Sequence, residues 1–368
     1  MRIADLVARA QKAFPRLYSA GFGPSGWAWL PPLHVYFEVT YRCNLRCTMC
    51  HFLRIIEDTE KGKLYRNELP AETVKKTLAR LPRFAVVTFT GGEALLKDDF
   101  MEILEYAVTR QAVHLISNGT ALDSPLAERL VELRSTALWK PGLFSVGVSM
   151  TGTEPAHSAI AGAEGAVRKT RDGLQRLLAA RGRNRYPMVH LTCVILPQNA
   201  ADLPSLYAMA DGLGVDWVNF VVHNPAEYVH HRGFDQESRL GHKPPPVAEI
   251  DAEFLRTQLS RLRKLAKNGS ARLRFSPNGI TPEEIVRYYG NRSEHSHYRC
   301  RAPWGIAGIS AYGDVWSCPH VPTAQVGPDG AFAWNSAAFR RFRVRIRQEK
   351  IFPGCLGCCQ SEYVGPAI

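Results

Sequence analysis

The sequence predicts an α/β fold, a partial β/α barrel of six strands followed by a small C-terminal α+β segment. Three observations predict it. Six short apolar runs occur in the first 225 residues, and helix-length segments separate most of them. Near residue 290 the pattern breaks into short strands, a Gly313-Asp314 turn and a cysteine-rich end. Repeated strand–helix–strand units give parallel strands joined by right-handed crossovers. Six of them make a partial (β/α)6 TIM-like barrel.

The expected strands are LHVYFEV (33–39), FAVVTFT (84–90), AVHLIS (112–117), LFSVGVS (143–149), MVHLTCVIL (188–196) and DWVNFVV (216–222). Their nearly continuous apolar character is that of parallel strands buried on both faces. The expected helices include AETVKKTLARL (71–81), DDFMEILEYAVTR (98–110), AVRKTRDGLQRLLAA (166–180) and LPSLYAMADGLG (203–214). Ahead of the barrel, Ile3, Leu6, Ala10, Phe14 and Leu17 at helical spacing predict a helix packed on it. The expected division is a helical extension (1–30), the barrel (31–225), a connector or substrate-facing insertion (226–290) and a C-terminal domain (291–368).

With 46 Lys and Arg against 34 Asp and Glu, the chain carries a net charge of +12. No helix-turn-helix, zinc-finger or RNA-binding pattern accompanies that charge, so no nucleic-acid partner is expected. The basic run RRFRVRIRQEK (340–350) reads as the solvated face of a helix. Apolar runs such as FAVV (84–87) are too short to span a bilayer. Arg2, Asp5, Arg9, Lys12 and Arg16 interrupt any signal-peptide core, so the expected location is cytoplasmic.

Nine cysteines, an odd number without an export signal, speak against a disulfide framework. Eight fall into two groups, which points to metal. Cys43, Cys47 and Cys50 form a C-x3-C-x2-C array directly after the first strand. Three thiolates on one loop can hold three irons of a 4Fe–4S cube and leave the fourth open; a zinc loop is the alternative. In a β/α barrel the loops after strands form the catalytic face.

CNLRCTMC at this position resembles the signature of the radical S-adenosylmethionine (SAM) superfamily. The resemblance implies a SAM-binding 4Fe–4S cluster, reductive cleavage of SAM to a 5′-deoxyadenosyl radical, and hydrogen abstraction from a substrate. It gives roles to other strand ends. Gly91, Gly92 and Glu93 resemble the motif that meets the methionyl amino group, with Ala94 where proline is usual. Ser117 and Asn118 would lie near the ribose, unless they form a plain Asx turn. Ser149 resembles a serine that contacts SAM, although Met150-Thr151-Gly152 departs from the usual continuation. Ala161 stands where an arginine is common, which leaves Arg168 or Lys169 to meet the SAM carboxylate. Val194 and Leu196 would line the adenine, with a core role as the alternative, and Met49 would pack against it.

Cys300, Cys318 and Cys355-x2-Cys358 supply four further thiolates. They resemble the SPASM/twitch extension of radical SAM enzymes in its single-cluster form, like that of the aminocyclitol dehydrogenase of butirosin biosynthesis. That implies a second, auxiliary 4Fe–4S cluster; structural zinc is the alternative by ligand count. Cys359 is left free, or able to replace Cys358. A free thiol there would donate a hydrogen atom, as in radical SAM epimerases, or reach nothing. Cys193, inside a strand, reads as a buried apolar residue. His223, at the end of the sixth strand, is a candidate base followed by Glu227, Tyr228, His230 and His231. A hydrogen-bonded loop histidine is the alternative there. His51 and His320 also lie near cluster cysteines.

The expected function is a radical SAM oxidoreductase that oxidises a small sugar- or alcohol-type metabolite, with the auxiliary cluster taking the second electron. The alternatives are epimerisation, cross-linking of a peptide, or a non-catalytic zinc or iron–sulfur protein. The expected partners are a small-molecule or peptide substrate and an electron donor such as flavodoxin or ferredoxin.

Overall fold

The computed structural model describes residues 25–60, 67–137, 140–225, 240–319 and 321–366. The helix expected from Ile3 to Leu17, the side chains of Glu227, Tyr228, His230 and His231, and His320 lie outside them.

All six expected strands form: β1 (His34–Thr40), β2 (Val86–Gly91), β3 (Ala112–Ser117), β4 (Gly142–Ser149), β5 (Met188–Ile195) and β6 (Trp217–Val222). They pair in chain order and in parallel. A seventh parallel strand, β7 (Arg272–Ser276), joins the β6 edge from the stretch read as a connector. Helices Ala71–Arg80, Phe100–Val108, Ala166–Arg181, Leu203–Leu213 and Ala252–Asn268 lie between successive strands.

The strands are not apolar on both faces, contrary to the sequence reading. Val35, Phe37, Val87, Phe89, Val113, Leu115, Val146, Val148, Leu191, Cys193, Val218 and Phe220 are buried in one core. The alternate residues on the opposite face are largely polar or partly open: His34, Tyr36, Thr88, His114, Ser145, Thr192 and Asn219. The outer face therefore seals the protein and the inner face lines a lumen. Apolar residues dominate the runs strongly enough to mask this period of two.

Five short strands complete the fold: β8 (Tyr298–Cys300), β9 (Ile306–Ile309), β10 (Asp314–Cys318), β11 (Val321–Gln325) and β12 (Ser361–Tyr363). β9 pairs in parallel with β1, and β10 and β11 follow antiparallel, so the sheet runs β11-β10-β9-β1-β2-β3-β4-β5-β6-β7. β8 and β12 form a separate ribbon. Its Tyr363 N–H donates to Asn278 O at 2.8 Å, just beyond the end of β7. The C-terminal segment thus touches both edges of the incomplete barrel and spans its gap.

A second core holds that segment together, built from Tyr298, Trp304, Phe342, Ile346, Phe352 and Cys355. The basic run is only partly a solvated face. On helix Ala337–Glu349, Arg343 is fully buried and donates to Pro303 O, Gly26 O, Asn335 Oδ1 and Trp334 O at 2.8–3.3 Å. A buried guanidinium is tolerable because acceptors meet its donors. Among the described residues no helix is long and apolar enough to cross a membrane.

Candidate active site and second cysteine site

Cys43, Cys47 and Cys50 lie on the loop that leaves the C-terminal end of β1, each half-buried. Backbone bonds dock this loop on the helix after β4: Arg46 N–H donates to Ala161 O and Thr48 N–H to Ile160 O, both at 2.9 Å. On the other side, Gly92 N–H donates to Thr40 O and Glu93 N–H to Arg42 O, both at 2.8 Å. A Cβ on Gly91 would collide with Thr40 O, and one on Gly92 with Arg42 O. The two glycines therefore let one loop approach another closely.

Burial raises all three thiols, and Cys47 reaches about 12 through burial and then the neighbouring Cys50 and Cys43. Three such thiols become thiolates together only against concentrated positive charge. Three thiols on one loop are the donor set of a cluster site. Among the described residues no three His, Cys, Asp or Glu side chains converge on a point as a single ion requires. A cubane takes one thiolate per iron and does not ask for that convergence.

Glu93 is 1% exposed, and its carboxylate is already engaged. Oε2 accepts from Asn118 N–H at 2.6 Å and Oε1 from Leu95 N–H at 3.2 Å. Burial raises its pKa, while these bonds and the Ser117 hydroxyl pull it down. Glu93 thus fastens the β2 loop to the β3 loop and keeps lone pairs for a further donor. The Asn118 side chain donates to Asn44 Oδ1 at 2.9 Å and approaches Cys43 Sγ at 4.0 Å. Ser117 is buried, with Oγ accepting from Gly119 N–H at 2.9 Å. Ser117 and Asn118 form the Asx-type turn and also stand beside the cysteine loop.

Ser149, at the end of β4, and Val194, on β5, are partly open on the lumen face, and Met49 is half-buried on the cysteine loop. Leu196 is buried, its N–H held by Asn199 Oδ1 at 2.8 Å. Arg168 and Lys169 are exposed on helix Ala166–Arg181. The cation the sequence reading missed is Arg46. Its Nη1 donates to Cys43 O at 2.8 Å and Leu45 O at 2.9 Å, and its charge lowers the Cys43 thiol. Asn44 was also missed. The docking of the loop on Asn118 reveals Asn44, whereas the Arg46 side chain folds back on its own loop.

The second set is assembled from distant segments. Cys300 ends β8, Cys318 ends β10, and Cys355 and Cys358 flank a turn closed by Cys358 N–H donating to Cys355 O at 3.0 Å. All four line one cavity with Ser317, Phe342 and Ile346. Burial and then Cys355 and Cys358 hold the Cys300 thiol well above its usual range, and Cys355 is pushed to about 12. Four thiols around one cavity are a full donor set for a cluster.

Cys359 is not among the residues lining that cavity. It presents open surface, yet burial pushes its thiol up to about 12. A residue on the wall of an open lumen has both properties, and its charge is felt by Tyr36 on the lumen face of β1. His223 is half-buried; its N–H donates to Tyr289 Oη at 3.0 Å and its carbonyl accepts from Tyr288 Oη at 2.6 Å. Burial lowers its pKa, so the ring is neutral near pH 7. Tyr288 also feels the charge of Cys358 and packs against Gly357, so His223 and the second cysteine set meet on either side of one tyrosine.

Residues 37–210, which hold the cysteine loop and the strand ends around it, match the Radical SAM superfamily. The barrel is a radical SAM domain. The chain is 30% identical to pre-heme d1 synthase of Dinoroseobacter shibae over 185 residues, covering 50% of this chain and 41% of that protein. It is 28% identical to PqqA peptide cyclase of Bradyrhizobium diazoefficiens over 331 residues, covering 85% of this chain and 75% of that one. The chain thus spans less than half the length of the first relative and three quarters of the second. Its fold is similar to that of Streptococcus suis SuiB bound to precursor peptide SuiA, with a TM-score of 0.56 and 13% identity over 83% of this chain and 63% of that one. Radical SAM enzymes use a 4Fe–4S cluster and SAM, and the three-cysteine loop fits that cluster.

Proposed function

We propose that this radical SAM enzyme modifies a peptide, and that Cys300, Cys318, Cys355 and Cys358 hold an auxiliary 4Fe–4S cluster. The observation that carries the reading is the likeness to PqqA peptide cyclase over 85% of the chain, well beyond the barrel. It favours cross-linking or a related peptide modification over the oxidation of a small sugar or alcohol expected from sequence. The partly open lumen face, with Thr192, Asn219 and Val221, has the mixed polarity that suits a peptide.

When bound, the cluster and SAM supply the hydrogen-abstracting radical. Cys43, Cys47 and Cys50 would hold the cluster. Gly91, Gly92, Glu93, Ser117, Asn118, Ser149, Val194, Leu196 and Met49 would form the wall against SAM, with Glu93 offering its remaining lone pairs to the amino group. The outer helices exclude water from the sheet. His223, neutral at pH 7, would accept a proton from substrate. Cys359 remains a thiol at that pH and so retains a hydrogen atom to give. A flavodoxin or ferredoxin would supply the electron.

The test is mass spectrometry of products from anaerobically reconstituted protein with SAM, dithionite and parallel panels of peptides and oxidisable alcohols, in normal and deuterated water. A peptide that loses two hydrogens supports cross-linking; one that retains a solvent deuterium supports epimerisation through Cys359. Turnover confined to the alcohols would sink the peptide reading.

A further inference from the structure

The barrel's β7 edge carries charge that the catalytic reading does not use. β7 pairs with β6 on one side, and among the described residues no strand pairs with its other side. Near β7 the C-terminal ribbon bridges to the chain at Asn278, beyond the end of the strand. Residues 272–276 therefore offer a row of backbone donors and acceptors beside the gap of the barrel.

Arg272 and Arg274 stand two residues apart on this strand and so project from the same face. The register pairs Arg272 with Trp217 and Arg274 with Asn219, which makes it the lumen face. Both are exposed, and among the described residues neither forms an ion pair. The Arg274 guanidinium lies 4.7 Å over the Trp217 ring, and that ring stacks on His190 at 4.4 Å and 8°. One cation is thus held in place by stacking; burial and then the neighbouring Arg272 lower its pKa. Two like charges thus share the lumen face of β7, with Arg274 leaning over Trp217 of β6, and carboxylates at the same spacing on an added strand would offset their repulsion.

We propose that the open edge of β7 docks an extended segment of the substrate peptide as an added strand, with Arg272 and Arg274 pairing acidic side chains at alternate positions of that segment. The inference rests on the peptide reading and adds the chemistry of the peptide: acidic residues two apart in an extended stretch. Main-chain bonds to the edge give affinity, and the two arginines give register and selection. Charged edges also guard against self-association, but guarding needs only charge, whereas docking needs a matching spacing.

The test uses the reconstituted full chain and fluorescence anisotropy of a dye-labelled, end-capped Val-Glu-Val-Glu-Val-Glu-Val peptide. Controls are its lysine analogue, an isomer with the three glutamates adjacent, and a version N-methylated at alternate amides. The alternating glutamate peptide is expected to bind at least about tenfold tighter than every control. Arg272→Glu with Arg274→Glu is expected to abolish that preference, and Arg272→Lys with Arg274→Lys to keep most of it; circular dichroism and iron content report that each variant is folded. Equal binding of the alternating and adjacent isomers, or a glutamate double variant that binds like wild type, overturns the docking. If a peptide is turned over with a KM unchanged in a folded glutamate double variant, the docking fails and the peptide reading stands. If the preference is seen while no peptide is turned over, the edge site stands and the peptide reading fails.

Discussion

The two cysteine sites are built in opposite ways. The first takes three thiols from eight consecutive residues, sits half-exposed at the end of β1, and is shaped by its contacts with neighbouring loops. The second takes four thiols from β8, β10 and the turn before β12, and shares the core formed by Phe342, Ile346 and Phe352. A local site can be lost without loss of fold, and its open side is available to SAM. A dispersed site is also a cross-brace, since it ties together the segments that span the barrel's gap.

That contrast can be broken by substitution. Cys47→Ala should abolish formation of 5′-deoxyadenosine while thermal stability changes little, as followed by chromatography and by calorimetry. Cys355→Ala should instead lower stability by about 2–4 kcal/mol, because a buried ligand and its metal both contribute to folding. If the two variants lose stability equally, the distinction between a local and a bracing site fails. Glu93→Gln replaces one acceptor oxygen with a donor and leaves Asn118 N–H or Leu95 N–H unpaired. A loss of about 1–3 kcal/mol in SAM binding, tenfold or more in Kd, is expected by titration calorimetry.

The seam between the two sites gives a smaller effect that depends on pH. Glu38 on β1 is 4% exposed, accepts from Tyr41 Oη at 2.6 Å and lies near Asp314 of β10. Burial raises its pKa from 4.5 to about 8, with Asp314 adding to the rise and the Tyr41 bond opposing it. The native carboxyl keeps its proton up to about pH 8, whereas the unfolded chain releases it near 4.5. This contribution to stability is full below the lower value and is lost as pH rises through the higher one. Glu38→Gln should flatten that part of the slope in denaturant titrations between pH 5 and 8.5; an unchanged slope would place the titration elsewhere.

The same contrast explains what the sequence disclosed. The first site was legible because its three cysteines fall within eight residues and follow a strand whose end must face the catalytic side. Cys300, Cys318, Cys355 and Cys358 could be grouped from the sequence because C-x2-C pairs two of them, and the structure brings all four to one cavity. The polar lumen was not legible, because the valines and leucines of the outer face dominate each run. Asn44 was missed because Asn118 is brought to it by the docking of distant loops, and Arg46 because bonds to carbonyls one and three residues back leave no mark in the sequence. Arg343 was misread because local charge says nothing of the four acceptors that bury it.

The most direct measurement is an iron and sulfide count on anaerobically reconstituted protein, wild type against a Cys43/Cys47/Cys50→Ala triple variant, with both assayed for reductive SAM cleavage. Two cubane sites predict about eight irons in wild type and about four in the variant, with cleavage lost. A variant that holds no iron would contradict the auxiliary cluster, and one that still cleaves SAM would contradict the assignment of the three-cysteine loop.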